Sequence, residues 1–310
     1  MIAVAGEALI DIVIHHDGTI RARPGGGPFN TARTISRLGQ PCTYLGRVSA
    51  DNFGRELAER LNHDAVTLAL PEPIPAPSTL AVVDLDAAGR SPQYRFYLTG
   101  TSASALDYPT ARAALPVGLT ALHVGSLALV MEPIAATIEQ LISDDATLDT
   151  LVMVDPNCRP GAITDEPAYR ARLSRILRRA DVVKVSTEDL AYLYPGMTPS
   201  TAAASLLDQG PALVLLTDGP RTARAFMLGL EISVDVPDAT VVDTIGAGDA
   251  FGGGFLAWWE GHGRTRSGLA DADDVRAAVQ LANLVAALSC TRPGADPPWA
   301  AEIDAARLGS

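Results

Sequence analysis

A three-layer α/β/α fold around a mostly parallel sheet, with a small β-sheet lid, is predicted by two features of the chain. Short apolar runs of strand length alternate with segments of helical periodicity, the pattern of strand–helix crossovers. Two other segments, at about 9–23 and 79–99, read as paired strands with no helical cover. The 310 residues fit a single α/β domain into which those two segments insert as the lid.

The elements follow in order. Met1–Ala5 is an apolar first strand. Leu9–Arg23 reads as strand, turn and strand, with Asp17-Gly18 supplying the turn. Pro28–Leu38 carries Phe29, Ala32, Ile35 and Leu38 at helical spacing, and Gly39 stops it. Cys42–Val48 is a strand. Asn52–Leu61 is a helix that buries Phe53, Leu57 and Leu61 behind an Asp51 N-cap. Leu80–Leu98 gives two more strand-like runs around Asp86-Ala87-Ala88-Gly89. Leu122–Gly125, Leu151–Val154, Val182–Val185 and Leu213–Thr217 are short buried strands. Helical stretches at Ile134–Ile142, Tyr169–Arg179 and Thr201–Asp208 separate them. A projecting sheet over a cleft suits a lid, because closure excludes water during transfer chemistry. An extension of the main sheet's edge is the plainer alternative.

Composition narrows the function. Hydrophobic residues make up 47% and charged residues 19%, as in an ordinary globular protein. A net charge of −12 argues against a nucleic-acid binder, which needs a basic face. Cys42, Cys158 and Cys290 are odd in number and form no CxxC pair, so neither a disulfide framework nor structural zinc is expected. The start, MIAVAGEALID, lacks a basic leader, and no apolar run reaches the roughly 18 residues of a membrane span. A cytoplasmic protein with no membrane partner is expected.

The segment VDTIGAGDAF, residues 242–251, concentrates the chemistry. Val241–Asp243 reads as the end of a strand and Ala250–Trp259 as a helix. Gly246-Ala247-Gly248 is then a strand-to-helix turn whose free N–H groups form an anion site. It is not a P-loop, because Lys184 is the only lysine and no glycine loop precedes it. It is not a dinucleotide fingerprint either, because Phe251 takes the third glycine position and Asp249 would repel a pyrophosphate. Two roles are open for Asp249: a helix cap, or a general base facing a hydroxyl nucleophile beside the anion site.

Taken together, these residues resemble the ribokinase/pfkB family of carbohydrate kinases. Asp243-Thr-Ile-Gly-Ala-Gly-Asp249-Ala-Phe resembles its C-terminal signature. Gly25-Gly26-Gly27-Pro28-Phe29-Asn30-Thr31-Ala32, running on to Arg37-Leu38-Gly39, resembles its N-terminal one. The similarity extends through Gly46–Gly54, Asp155-Pro-Asn-Cys-Arg159-Pro, Thr217-Asp-Gly219 and Asn283 to Ala295. A ribokinase-like fold is therefore implied.

The resemblance also implies roles. Asp249 would be the catalytic base, with Gly246, Ala247 and Gly248 as the anion hole and Arg159 near the transferring phosphate. Asp11, Gly25, Gly26 and Asn30 would bind the sugar. Lys184, Ser186, Thr217, Gly219 and Asn283 would face the nucleotide. Asp243 would hold a monovalent cation such as K⁺, or merely shape the turn. Glu188 or Asp189 would organise Mg²⁺ through water, since Ser186-Thr187-Glu188-Asp189 departs from the family's N-x-x-E. Ile245 replaces the threonine common at the signature's third position.

The expected activity is ATP-dependent phosphorylation of a small sugar, most similar to the fructokinases. A 2-keto-3-deoxygluconate kinase is an alternative that would need a cation for the sugar carboxylate, with Arg33, Arg95 and Arg159 as candidates. A nucleoside or ribose kinase and a kinase-derived sugar sensor are further alternatives. The resemblance also implies a homodimer paired through the lid, and Leu9–Ile14 is apolar enough for that pairing.

Overall fold

The computed structural model describes residues 1–84 and 93–308. The chain opens with β1 (Ile2–Ala5), β2 (Leu9–Ile14), β3 (Ile20–Gly25) and α1 (Gly27–Arg37). Next come β4 (Cys42–Leu45), α2 (Asn52–His63), β5 (Thr67–Leu68), β6 (Thr79–Asp84) and β7 (Gln93–Tyr97). The middle runs α3 (Tyr108–Ala113), β8 (Ala121–Gly125), α4 (Ile134–Ile142), β9 (Leu151–Asp155), α5 (Glu166–Leu177) and β10 (Val182–Ser186). It continues with α6 (Thr187–Leu193), α7 (Pro199–Leu207), β11 (Leu213–Thr217), β12 (Ala223–Met227) and β13 (Leu230–Val234). Helices α8 (Ala247–Gly261), α9 (Ala272–Cys290) and α10 (Ala300–Leu308) complete it.

Nine strands form the main sheet in the order β13-β12-β11-β10-β9-β8-β1-β4-β5. Every pair from β5 to β11 is parallel, and β12 and β13 add an antiparallel edge. Side chains alternate across this sheet into two cores, as a strand's period of two requires. Ile2, Val4, Val182, Leu213 and Leu215 pack with Phe29, Phe251 and Phe255 on one face. Ala3, Ala5, Val183, Val185, Val214 and Leu216 pack with Ile138, Leu173 and Leu206 on the other. The three-layer expectation is met.

The two uncovered segments form a separate sheet in the order β3-β2-β6-β7. Pairing is antiparallel within each hairpin, while the inner strands β2 and β6 run parallel. The turn expected at Asp86–Gly89 lies outside the described residues.

Helix starts follow local chemistry. Asp51 caps α2 by accepting the Gly54 N–H at 2.8 Å, a contact worth about 1 kcal/mol. Leu57 and Leu61 are buried on that helix, but Phe53 is only half-buried. Helix α6 starts with a reciprocal capping box between Ser186 and Asp189.

One element expectation fails. Val241–Asp243 is not a strand: the last strand ends at Val234, and residues 235–246 form an extended connection. Val241 and Val242 are 58% and 60% exposed, and no strand pairs with them. Instead, the N–H groups of Val242 and Asp243 both reach the Cys290 carbonyl at the end of α9. A β-branched pair reads as strand, but without a neighbouring edge to bond it stays a loop. Helix α8 accordingly starts at Ala247, three residues before the expected Ala250.

Among the described residues, no helix is long and apolar enough to cross a membrane.

Candidate active site

Parallel strands in one sheet deliver their exit loops to one edge, where open α/β sheets form binding crevices. Here that edge carries Gly6-Glu7 after β1, Ser126 after β8, Asn157–Arg159 after β9, Ser186 ending β10, and Thr217–Gly219 after β11. Two cavities occupy it. The first, of about 500 Å³, is walled by Ser186, Glu188, Asp189, Thr217, Gly219 and Asn283. The second, of about 570 Å³, lies between this edge and the small sheet, with Glu7, Asp11, Gly26, Asn30, Gly246 and Asp249 in its wall. Asn157, Arg159, Lys184, Thr244 and Gly248 line both and form the seam between them.

Asp249 sits in the first turn of α8, half-buried. Its Oδ2 accepts a hydrogen bond from Asn30 Nδ2 at 2.9 Å, and the Thr31 hydroxyl reaches its backbone carbonyl. Loss of water around it pushes its pKa up to about 6. The Asn30 bond, Lys184 and Arg159 oppose that rise, and Asp155 adds to it. Gly246 caps the helix in the left-handed region, at φ 77°. The Ala247 N–H is bonded to the Thr244 carbonyl, so Ala247 does not offer the open donor expected of it. The tight turn that starts the helix consumes that group. Among the described residues, the N–H groups of Gly246, Gly248 and Asp249 have no partner within the chain.

Lys184 is buried and pairs with Asp155 at 3.0 Å. Burial disfavours its charge, yet Asp155 and Asp189 outweigh that and hold its pKa above the ordinary value. Its Nζ lies against Gly248, where a Cβ would come within 2.7 Å, so the glycine lets the ammonium reach the start of α8. Arg159 donates to the carbonyls of Asn157 and Cys158, at 3.2 and 3.1 Å. Asp11, on β2, faces the second cavity, and burial raises its pKa to about 6 against the pull of Arg159.

Several other expectations are sharpened or corrected. Gly25 does not line the second cavity. It backs Asp11, whose Oδ2 lies 2.1 Å from where a Cβ would stand, and Gly26 and Gly27 form the wall instead. Asn283 lines the first cavity, but its Nδ2 donates to the Val234 and Asp235 carbonyls, so its amide protons hold the end of β13. Asp189 is buried, accepting from Ser186 and from the Cys158 N–H, whereas Glu188 is exposed. Asp243 lines neither cavity. Its two oxygens accept the N–H groups of Ile245 and Gly294, and Arg23 stands 3.6 Å away. Among the described residues, no cluster of three or more His, Cys, Asp or Glu could hold a metal ion.

Among the wall residues that the sequence reading did not single out are Glu7, Ser126, Asn157 and Thr244. Asn157 and Thr244 lie inside the motifs quoted above. Glu7 had a usable signal, an acid one glycine past the end of the first strand and four residues before Asp11.

Comparison with known proteins agrees with this geometry. Residues 1–302 match the family described as pfkB family carbohydrate kinase. A fructokinase from Rhizobium leguminosarum bv. trifolii is 35% identical over 83% of this chain and 79% of its own length. A fructokinase from Klebsiella pneumoniae is 32% identical over 94% of both chains. In three dimensions, a fructokinase with bound ATP from Xylella fastidiosa superposes with a TM-score of 0.87 at 25% identity. That match covers 100% of this chain and 99% of the other. A fructokinase from Vibrio cholerae O395, in a fructose-, ADP- and calcium-bound form, gives 0.83 at 25% identity over 98% and 97%. The chain belongs to the pfkB family of carbohydrate kinases and is a sugar phosphotransferase.

Proposed function

We propose that this protein transfers the γ-phosphoryl group of ATP to a hydroxyl of fructose. The observation that carries the reading is the seam. Two cavities meet where a carboxylate, the open N–H groups of a helix start, a lysine and an arginine converge. The relatives' names supply the sugar: those reported above are fructokinases, and one of the structures holds fructose with ADP.

In this reading ATP occupies the first cavity and the sugar the second. Asp249 takes the proton of a primary hydroxyl, and that oxygen attacks the γ-phosphorus in line while the bond to the β-phosphate oxygen breaks. Negative charge on the transferring group is met by the N–H groups of Gly246 and Gly248, by Arg159 and by Lys184. Asn30 orients Asp249, and Asp11 accepts sugar hydroxyls. The small sheet acts as the lid, with Val13, Val83, Tyr94 and Phe96 covering the sugar.

Magnesium, when bound with the nucleotide, would supply neutralisation of the phosphate charge. Exposed Glu188 suits a water-mediated contact with it, because Asp189 is engaged in the α6 cap. A monovalent cation at Asp243 has weaker support, since Arg23 already brings positive charge beside a carboxylate with both oxygens in use. Asp243 acts instead as the staple that shapes the turn before Gly246.

The second cavity also bears on the sugar class. Of the three arginines considered for a sugar acid, Arg33 is buried and ion-paired with Asp64 at 2.6 Å. Arg95 is not part of the wall, and Arg159 lies at the phosphate seam. The wall away from that seam carries carboxylates, which suit a neutral polyol. ADP release measured across fructose, ribose, 2-keto-3-deoxygluconate and common nucleosides tests this. Fructose should give the highest kcat/KM, and a higher value for the sugar acid or a nucleoside would overturn the assignment.

A further inference from the structure

We propose that Glu7 is a positioning residue for the sugar half of the site, joining two wall turns and thereby fixing Asn30 against Asp249. Glu7 follows β1 and is fully buried. Its Oε1 accepts the Gly27 N–H at 3.2 Å, and its Oε2 accepts the Ala128 N–H at 3.0 Å. One carboxylate therefore ties the start of α1 to the turn that leaves β8.

Both turns need holding. Gly26 lies at φ 109° and Ser126 at φ 58°, a region that a non-glycine residue adopts at an energetic cost. Gly27 is the first residue of α1, and Asn30 stands one turn further along the same helix. A shift at Gly27 is thus transmitted to the bond between Asn30 and Asp249. Gly27 also backs Asp249 directly, since a Cβ there would come 3.3 Å from Oδ1. A residue needed only to fill the core would be apolar at this position. A buried carboxylate with both oxygens bonded to backbone N–H groups of different elements instead fixes a geometry. Its charge is disfavoured by burial and by nearby Asp249, so the site bears a cost to keep it.

The inference rests on the sugar-kinase reading, and its test uses whichever sugar the wild-type enzyme turns over. A failure of fructose as substrate is then distinct from a failure of Glu7. In Glu7→Gln one oxygen remains an acceptor while an NH₂ group faces the other N–H. We expect kcat/KM for the sugar to fall by about 10–100-fold while KM for ATP stays within about twofold. Combined with Asn30→Ala, the loss should not exceed that of Asn30→Ala alone, because both act on one contact. Losses that multiply, or a parallel rise in both KM values together with a lower Tm, would overturn the proposal. Should Glu7→Gln fail to fold, Glu7→Asp keeps the charge but shortens the reach. It should show the same split between sugar and ATP, and wild-type sugar kinetics in that variant would equally refute the role.

Discussion

Along the wall made by β10, β11 and α9, polar side chains are already satisfied by the chain itself. Ser186 and Asp189 cap each other, the Thr217 hydroxyl donates to the Val185 carbonyl, and Asn283 holds the end of β13. Along the wall made by β1, β2 and α8, three carboxylates stand in a setting that resists their charge. Burial raises Glu7 to about 7 and both Asp11 and Asp249 to about 6. In the proposed arrangement the nucleotide side is a surface whose polar side chains are already paired within the chain. On the sugar side of that arrangement Asp11 and Asp249 would gain bonding partners from a polyol, while Glu7 is already bonded through both oxygens. Binding residues can be set in a relaxed structure, but a base that works near neutral pH must be kept where water would not leave it.

This contrast is broken most strongly at Asp249. Asp249→Asn should lower kcat by about 10²–10⁴-fold with little change in KM for ATP. It should not lower Tm. A carboxylate with a raised folded-state pKa stabilises the fold only at low pH, and that contribution is lost as pH rises toward 6. The neutral amide removes that penalty and can still accept from Asn30. Unchanged turnover would remove Asp249 from the chemistry. A smaller effect is expected at Asp11, which in the proposed arrangement meets the sugar and not the nucleotide. Asp11→Asn should raise the sugar KM by about 10-fold, leaving KM for ATP unchanged in the same assay. The smallest effect belongs to the nucleotide side. Asn283→Ala frees two backbone carbonyls and should raise KM for ATP by about two- to fivefold without altering kcat. A kcat loss there matching that of Asp249→Asn would erase the distinction between the walls.

The two sides also differ in how legibly they were written. Short apolar runs between helical patterns located every parallel strand of the main sheet except the two-residue β5, and Gly246–Asp249 located the helix start. Strand–helix alternation and small residues before an acid are local signals, and local signals survive in a sequence. The sugar side depends on contacts across the chain. Glu7 meets Gly27 and Ala128, which are 20 and 121 residues away, and no periodicity encodes such a meeting. The resemblance implies a sugar contact at Gly25, but the group that stands against it is the Asp11 carboxylate, a neighbour that the motif does not encode. Val241-Val242 was read as strand because composition cannot say whether a partner edge lies beside it. Asn283 and Ala247 line the first cavity, but hydrogen bonds visible only in three dimensions claim their donors.

The central claim is that Asp249 works as an ionised base whose pKa is lifted by removal from water. The dependence of kcat/KM for the sugar on pH, which reports groups of the free enzyme, tests it most directly. From about pH 8 downward the account predicts a plateau that begins to fall near pH 7, where Glu7 takes up a proton, and falls further through about 6, where Asp249 and Asp11 do. In Asp11→Asn the fall should persist but become shallower, with one proton fewer taken up near pH 6. A profile flat down to about pH 5 would contradict the account, because the base would then be an ordinary solvated carboxylate or another group altogether.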